Sequence, residues 1–309
     1  MAEQHARVHI TPAEATHELL GLLRRGGTGY SVAVVVLGIL ALIGLVALIA
    51  LIASGPEPRT KWGFPAAVLG FLLGAAQAAP ILALATRLAK GFWGIPLRRA
   101  AELFAVAGFV TTPLFIVLLF QLPDWRGRPS IWFNWPGAPQ LWDSIFITLL
   151  GLTGLALLYL NSLPDFAAAR DAAGSALARQ LALGWSGTVR QWQVLSGGIV
   201  VLGAFYLMVY VYVHMFAVAD LAMSLVPGWK SSVFAPYHAV SGFQAGIGMT
   251  LVWLAAIRRF GHLERYIGRD QFWGASKPLL ATTLLFFYLT WSEFLIPWYG
   301  RRPEEVFYL

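Results

Sequence analysis

"YSVAVVVLGILALIGLVALIALIA", residues 30–53, holds no charged residue and no proline. A bilayer core about 30 Å thick takes roughly 20 apolar residues of helix, so this run is long enough to cross it. Six further runs of that kind follow, near 63–86, 100–121, 142–161, 193–215, 232–257 and 278–298. The expected fold is all-α, a polytopic transmembrane helix bundle with seven spans visible. Composition agrees: the 309 residues are 58% hydrophobic and only 12% charged, with mean hydropathy +0.67, far from the balance of a soluble domain. Thirteen Trp, 10 Tyr and 20 Phe suit a chain that fills helix interfaces and anchors at two water–lipid boundaries.

Charge orients the spans. The N-terminal tail, the 87–99 loop, the 162–192 connection and the 258–277 loop carry three, four, three and five of the 22 Lys and Arg residues, against seven on the opposite side. By the positive-inside rule the N-terminus is cytoplasmic and the C-terminus is not. Residues 1–29 form a polar cytoplasmic tail without the apolar core of a secretory signal, so the first span is expected to remain as an anchor. Within that tail Thr11-Pro12-Ala13-Glu14 has the form of a capping box. It predicts a short amphipathic helix ending near Gly26-Gly27, whose Leu19, Leu20, Leu22 and Leu23, with Arg24 and Arg25, lie on the membrane or on a neighbour. Residues 30–309 are the transmembrane domain, and residues 167–183 read as a cytoplasmic amphipathic linker. The 122–141 loop, "LPDWRGRPSIWFNWPGAPQL", reads either as an aromatic belt or as a docking platform for an extracytoplasmic partner.

Several function classes fall away. With no cysteine, the chain cannot itself hold an iron–sulfur cluster, a covalently attached haem or a disulfide, and no metal site is expected. No basic arm interleaved with exposed aromatics argues for nucleic acid, so none is expected as a partner. A retinal protein needs a mid-membrane lysine, and Lys277 stands only at the edge of the last run.

Polar residues within the apolar runs are then the functional candidates, because ionisable groups in hydrocarbon are costly. The stretch "ADLAMSLVPGWKSSVFAPYHAV", 219–240, joins the fifth and sixth runs and carries two of them. His214 is placed at the end of the fifth run and Asp220 just beyond it. His238 and Glu293 fall roughly 7–9 Å below the same surface at 1.5 Å per residue. Tyr206, Tyr210 and His214 follow i, i+4, i+8, and Tyr237, Ser241, Gln244 and Gly248 share a face beside His238. Such faces are expected to look toward protein. His238, Glu293 and Asp220 are the candidates for quinol contact and proton transfer; Tyr237, His214, Tyr210 and Gln244 are candidates for the pocket or path. Glu102 and Gln77 are candidates for the inner mouth of a proton path, with an Arg99–Glu102 ion pair as the alternative for Glu102. Gly242 and Gly246 form a small-xxx-small pair, Pro80 and Pro113 are expected to kink their spans, and His238 with Glu293 can be two neutral groups or an ion pair.

"DLAMSLVPGWKSSVFAPY" (220–237) and "FLIPWYGRRPEEVFYL" (294–309), with "LRRAAELF" (97–104), resemble the NrfD-like membrane subunits of the polysulfide reductase family. The similarity is greatest to the quinol:cytochrome c oxidoreductase membrane subunits of bacterial alternative complex III. Asp220, Met223, Ser224, Leu225, Pro227, Trp229, Ser231 and Phe234 match the first motif, and Trp298, Tyr299, Pro303, Glu304 and Glu305 the second. Leu221, Glu293 and His238 depart from it. Family members are longer, so the chain is expected to continue past Leu309.

The resemblance implies a subunit without a metal cofactor that serves electron transport in a bacterial respiratory chain, as a multi-pass protein of the cytoplasmic (inner) membrane. It would hold quinol, menaquinone or ubiquinone type, or line a route for proton translocation. Implied partners are an extracytoplasmic iron–sulfur/molybdopterin-like subunit, a multihaem cytochrome c, a second NrfD-like membrane subunit and lipids. Two other readings stay open: a haem b-binding anchor using His214 and His238, and a transporter or structural scaffold with no redox role.

Overall fold

The computed structural model describes residues 11, 14–15, 17–19, 21, 28–91, 94–121, 135–226, 229 and 231–301. Among them the only regular structure is helix, and seven helical segments are long and apolar enough to cross a membrane: Gly29–Ala53, Thr60–Leu88, Ile95–Leu119, Gln140–Ala173, Val189–Leu225, Phe234–Phe260 and Arg269–Gly300. The chain is a polytopic, multi-pass α-helical membrane protein. These segments are called the first to seventh spans.

The chain divides into two compact units. One comprises Met1–Gly55 and Asn161–Val194. Its tail shows the expected capping box: Thr11 N donates to Glu14 Oε2 at 2.9 Å and Glu14 N to Thr11 Oγ1 at 3.3 Å. The Leu20 to Gly27 part of the predicted tail helix lies outside the described residues, Gly21 excepted. The 167–183 linker is corrected here. The fourth helix runs unbroken through Pro164 to Ala173, because the alanine-rich stretch after Phe166 favours helix. It stops where Gly174 takes φ +62, and Ser175 Oγ then accepts from Ala178 N to cap the short helix Ala176–Leu181. A second capping box opens the fifth span: Thr188 Oγ1 accepts from Gln191 N, and Gln191 Oε1 accepts from Thr188 N. That moves the start of the fifth helix back to Val189.

The other unit comprises Pro56–Leu160 and Leu195–Leu309. At its centre is the second span, in which every residue from Leu73 to Leu84 is buried. Its small side chains are the reason. A Cβ added to Gly246 of the sixth span would lie 2.8 Å from the Ala75 carbonyl oxygen and 3.0 Å from Ala78 Cβ; one added to Gly242 would lie 3.0 Å from Gly74 Cα. Gly242 and Gly246 are thus the close helix contact their spacing predicts. One turn further, Leu82, Leu97, Ala100, Ile247 and Leu254 pack with Ile267 and Ala275. Pro80 sits inside a continuous helix. The irregularity of the third span is a 3-10 segment at Leu103–Ala107, ahead of Pro113.

Candidate functional site

A polar column runs up the junction of the second, fifth and sixth spans. At its base Tyr206, fully buried, donates its hydroxyl either to the Gln77 backbone carbonyl at 2.6 Å or to Gln77 Oε1 at 2.9 Å. One turn on, the Tyr210 hydroxyl lies 3.3 Å from both the Gly74 and the Ala239 carbonyl oxygens, which ties the second span to the sixth. Another turn on comes His214, whose ring is 4.1 Å from that of Tyr210 and 5.0 Å from that of His238. The i, i+4, i+8 spacing on one helix and its contact with a parallel glycine face build this column. At 1.5 Å per residue it rises about 12 Å from Tyr206 to His214.

His214 and His238 come from different spans and meet ring to ring. His214 is 0% exposed, and its Nδ1 lies 2.9 Å from the Tyr210 carbonyl. A carbonyl only accepts, so Nδ1 carries hydrogen there, and in a neutral ring Nε2 is the acceptor. Neither His214 Nε2 nor His238 Nδ1, both buried, has a hydrogen-bond partner among the described residues. Aromatic rings lead from the loop to this pair: Trp229 packs edge-on against Phe234 at 4.7 Å, and Phe234 lies 6.3 Å from His238. The haem-anchor reading does not fit. Axial imidazoles stand on opposite sides of a macrocycle, and rings 5.0 Å apart at 35° leave no slot for one.

Glu293 is placed elsewhere. It accepts from Ser231 Oγ at 2.5 Å, while the same Ser231 oxygen accepts from Val233 N and Phe234 N. No hydrogen bond or ion pair joins Glu293 to His238 among the described residues; the acid instead secures the residue that caps the sixth span. The face holding Tyr237 and Gln244 looks to the seventh span, where Tyr237 stacks on Phe286 at 5.0 Å and Gln244 Nε2 donates to Thr283 Oγ1 at 3.1 Å.

The position of Asp220 is also corrected. The apolar run continues past 215 with no proline or glycine to stop it, so the fifth helix extends to Leu221 and Asp220 lies inside its last turn, fully buried. Glu102 is buried and pairs with Arg99 at 3.2 Å, the i, i+3 alternative, whereas Gln77 joins the tyrosine column. Pro227, Lys230, Pro303, Glu304, Glu305 and residues 122–134 of the outer loop lie outside the described residues.

Sequence reasoning does not single out Gly74, Thr283 or the fully buried Asp143 of the fourth span, and it names Ser231 only as a motif match, not as the partner of Glu293. Gly74 was visible as one of the small residues of "GFLLGAAQAAP", but which neighbour approaches it is a tertiary fact. No family model matches this chain, and no curated protein matches it.

Proposed function

We propose that this chain is a membrane subunit of a respiratory quinol-oxidising assembly of the NrfD-like kind, and that the His214–His238 pair is its point of quinol contact or proton transfer. The observation that carries the reading is two imidazoles from separate spans in ring contact, His214 fully buried and His238 partly so, each with a buried nitrogen that has no hydrogen-bond partner among the described residues. Quinol oxidation releases two electrons and two protons. The electrons pass to an extracytoplasmic iron–sulfur partner, with a multihaem cytochrome c and a second NrfD-like subunit further along the assembly. The protons need bases, and imidazole is the side chain best suited to exchange them near neutral pH. The charge count supports an external position for this end of the sixth span. Trp229 and Phe234 supply aromatic walls of the kind a quinone ring packs against. Asp220, buried on the same side, stands next on the way out. Glu293 supports the pair by fixing the start of the helix that carries His238.

The test is quinol-dependent acceptor reduction by the native assembly purified with His238→Ala, His214→Ala or Glu293→Gln. Loss of a positioned proton acceptor costs on the order of 10²-fold in rate. Wild-type turnover in both histidine variants rules the reading out, and a solitary protein with no redox partner on purification points to transport instead.

A further inference from the structure

Positive charge gathers where the second span ends and the third begins. Residues 87–102 carry Arg87, Lys90, Arg98 and Arg99 against one acid, Glu102. The chain folds back tightly there: a Cβ built on Gly94 would stand 3.2 Å from Thr86 Cβ, so the two helix ends lie side by side. Arg98 and Arg99 are near enough for their charges to bear on Arg87, and all three bear on Glu102. Arg99 Nη1 holds Glu102 Oε2 at 3.2 Å, and the cluster keeps an excess of positive charge. Arg87 and Arg98 are half-buried, and guanidinium groups crowded at a membrane boundary repel one another more than they would in water.

The membrane side of this cluster is apolar and open. On the third span Arg99, Leu103, Val106 and Val110 follow at i, i+4, i+7 and i+11, one helical face. The 3-10 segment Leu103–Ala107 keeps that face intact, because residues three apart eclipse in such a turn. Leu103, Val106 and Val110 are between 47% and 61% exposed, and the Arg99 side chain 42%. From Arg99 to Val110 is roughly 16 Å at 1.5 Å per residue, about half of a 30 Å hydrocarbon core. Cations above an apolar strip one leaflet deep match a phospholipid, with its phosphate at the arginines and an acyl chain along the strip. The 258–277 connection has five basic residues too, but Glu264 and Asp270 lie among them and Lys277 stands over the Trp273 ring.

We propose that Arg87, Arg98 and Arg99 seat the phosphate of one anionic phospholipid, whose acyl chain lies along Leu103, Val106 and Val110. The net negative headgroup offsets the excess charge of the cluster, which a zwitterionic headgroup does less well. The planar guanidinium fork suits phosphate oxygens. Nothing in this seat depends on quinol.

The test is native mass spectrometry of the full chain released from nanodiscs that hold phosphatidylglycerol and phosphatidylcholine in equal amounts. Wild-type protein is expected to keep one phosphatidylglycerol in preference to phosphatidylcholine. Arg98→Gln, and Arg87→Gln together with Arg98→Gln, are expected to weaken that retention about fivefold per charge removed. Arg259→Gln, which removes an exposed cation outside the cluster, is expected to leave it unchanged. Equal retention of the two lipids by wild-type protein, or unchanged retention in the double variant, overturns the seat. An equal loss in Arg259→Gln shows a diffuse charge effect and overturns it too, and displacement of the lipid by millimolar inorganic phosphate shows a free-phosphate site instead. The Tm of wild-type protein in detergent gives a second readout: it is expected to rise with added phosphatidylglycerol and not with phosphatidylcholine or inorganic phosphate. The same Tm in all three overturns the proposal even where the arginine variants fail to fold.

Discussion

The second and seventh spans both pack on the sixth, and they do so in opposite ways. Against the second span the sixth presents His238, Gly242 and Gly246, and backbone approaches backbone so closely that a single added carbon meets Gly74 Cα or the Ala75 carbonyl. Against the seventh it presents Tyr237 and Gln244, and the contact is made by side-chain tips: a stacked ring pair and one amide-to-hydroxyl bond. Within the seventh span only Gly274 and Ala275 are buried, while Leu284, Phe287 and Trp291 stay exposed. Both spans are long and apolar enough to cross a membrane, so hydrophobicity alone does not set the difference. In lipid, apolar side chains gain little by leaving their solvent, and close approach through small residues and internal hydrogen bonds decides which helices lock together.

That contrast can be broken most severely at Gly246. Gly246→Leu forces a branched side chain into the Ala75–Ala79 backbone and is expected to cost about 3 kcal/mol or more, seen as a large fall in Tm in detergent. Tyr206→Phe leaves Gln77 without its buried donor, and a loss of about 1–2 kcal/mol is expected in the same assay. Ser231→Ala removes the oxygen that accepts from Val233 N and Phe234 N; about 1 kcal/mol is expected, whereas Glu293→Gln, which can still accept from Ser231, stays near the wild-type Tm. On the other face of the sixth span, Gln244→Leu deletes one interhelical bond, worth about 0.6 kcal/mol. Gly248→Ala sharpens the comparison most simply: nothing lies within 4 Å of the added carbon, so the change is expected to be neutral or stabilising by up to about 1 kcal/mol of helix propensity. A loss at Gly248 comparable to that at Gly246 would mean that the two faces are not distinguished by packing.

The site was partly legible. Spacing alone placed Tyr206, Tyr210 and His214 on one stripe and Gly242 with Gly246 on another, because a 3.6-residue period is a local property. The pairing of His238 with His214, and of Glu293 with Ser231, was not legible. Both acid and imidazole lie at similar distances from their helix ends, and depth says nothing about azimuth. Glu293 therefore read as a neighbour of His238 when it faces the loop that starts the sixth helix. The end of the fifth helix was misplaced for a related reason: the residues after 215 remain compatible with helix, and only packing shows that Asp220 is enclosed rather than released to the surface.

By itself the sequence determined that this is a multi-pass helical membrane protein and which seven stretches cross, since length and apolarity answer to the bilayer, a solvent that is the same for every chain. It also determined local signals, the Thr11–Glu14 capping box and the small-residue spacing. Tertiary structure decided which helix each stripe would meet. From that alone follow the contact of two histidines beside a glycine and the bond by which an acid holds the serine at the start of the sixth helix, because hydrogen bonds and close packing depend on which surface arrives opposite.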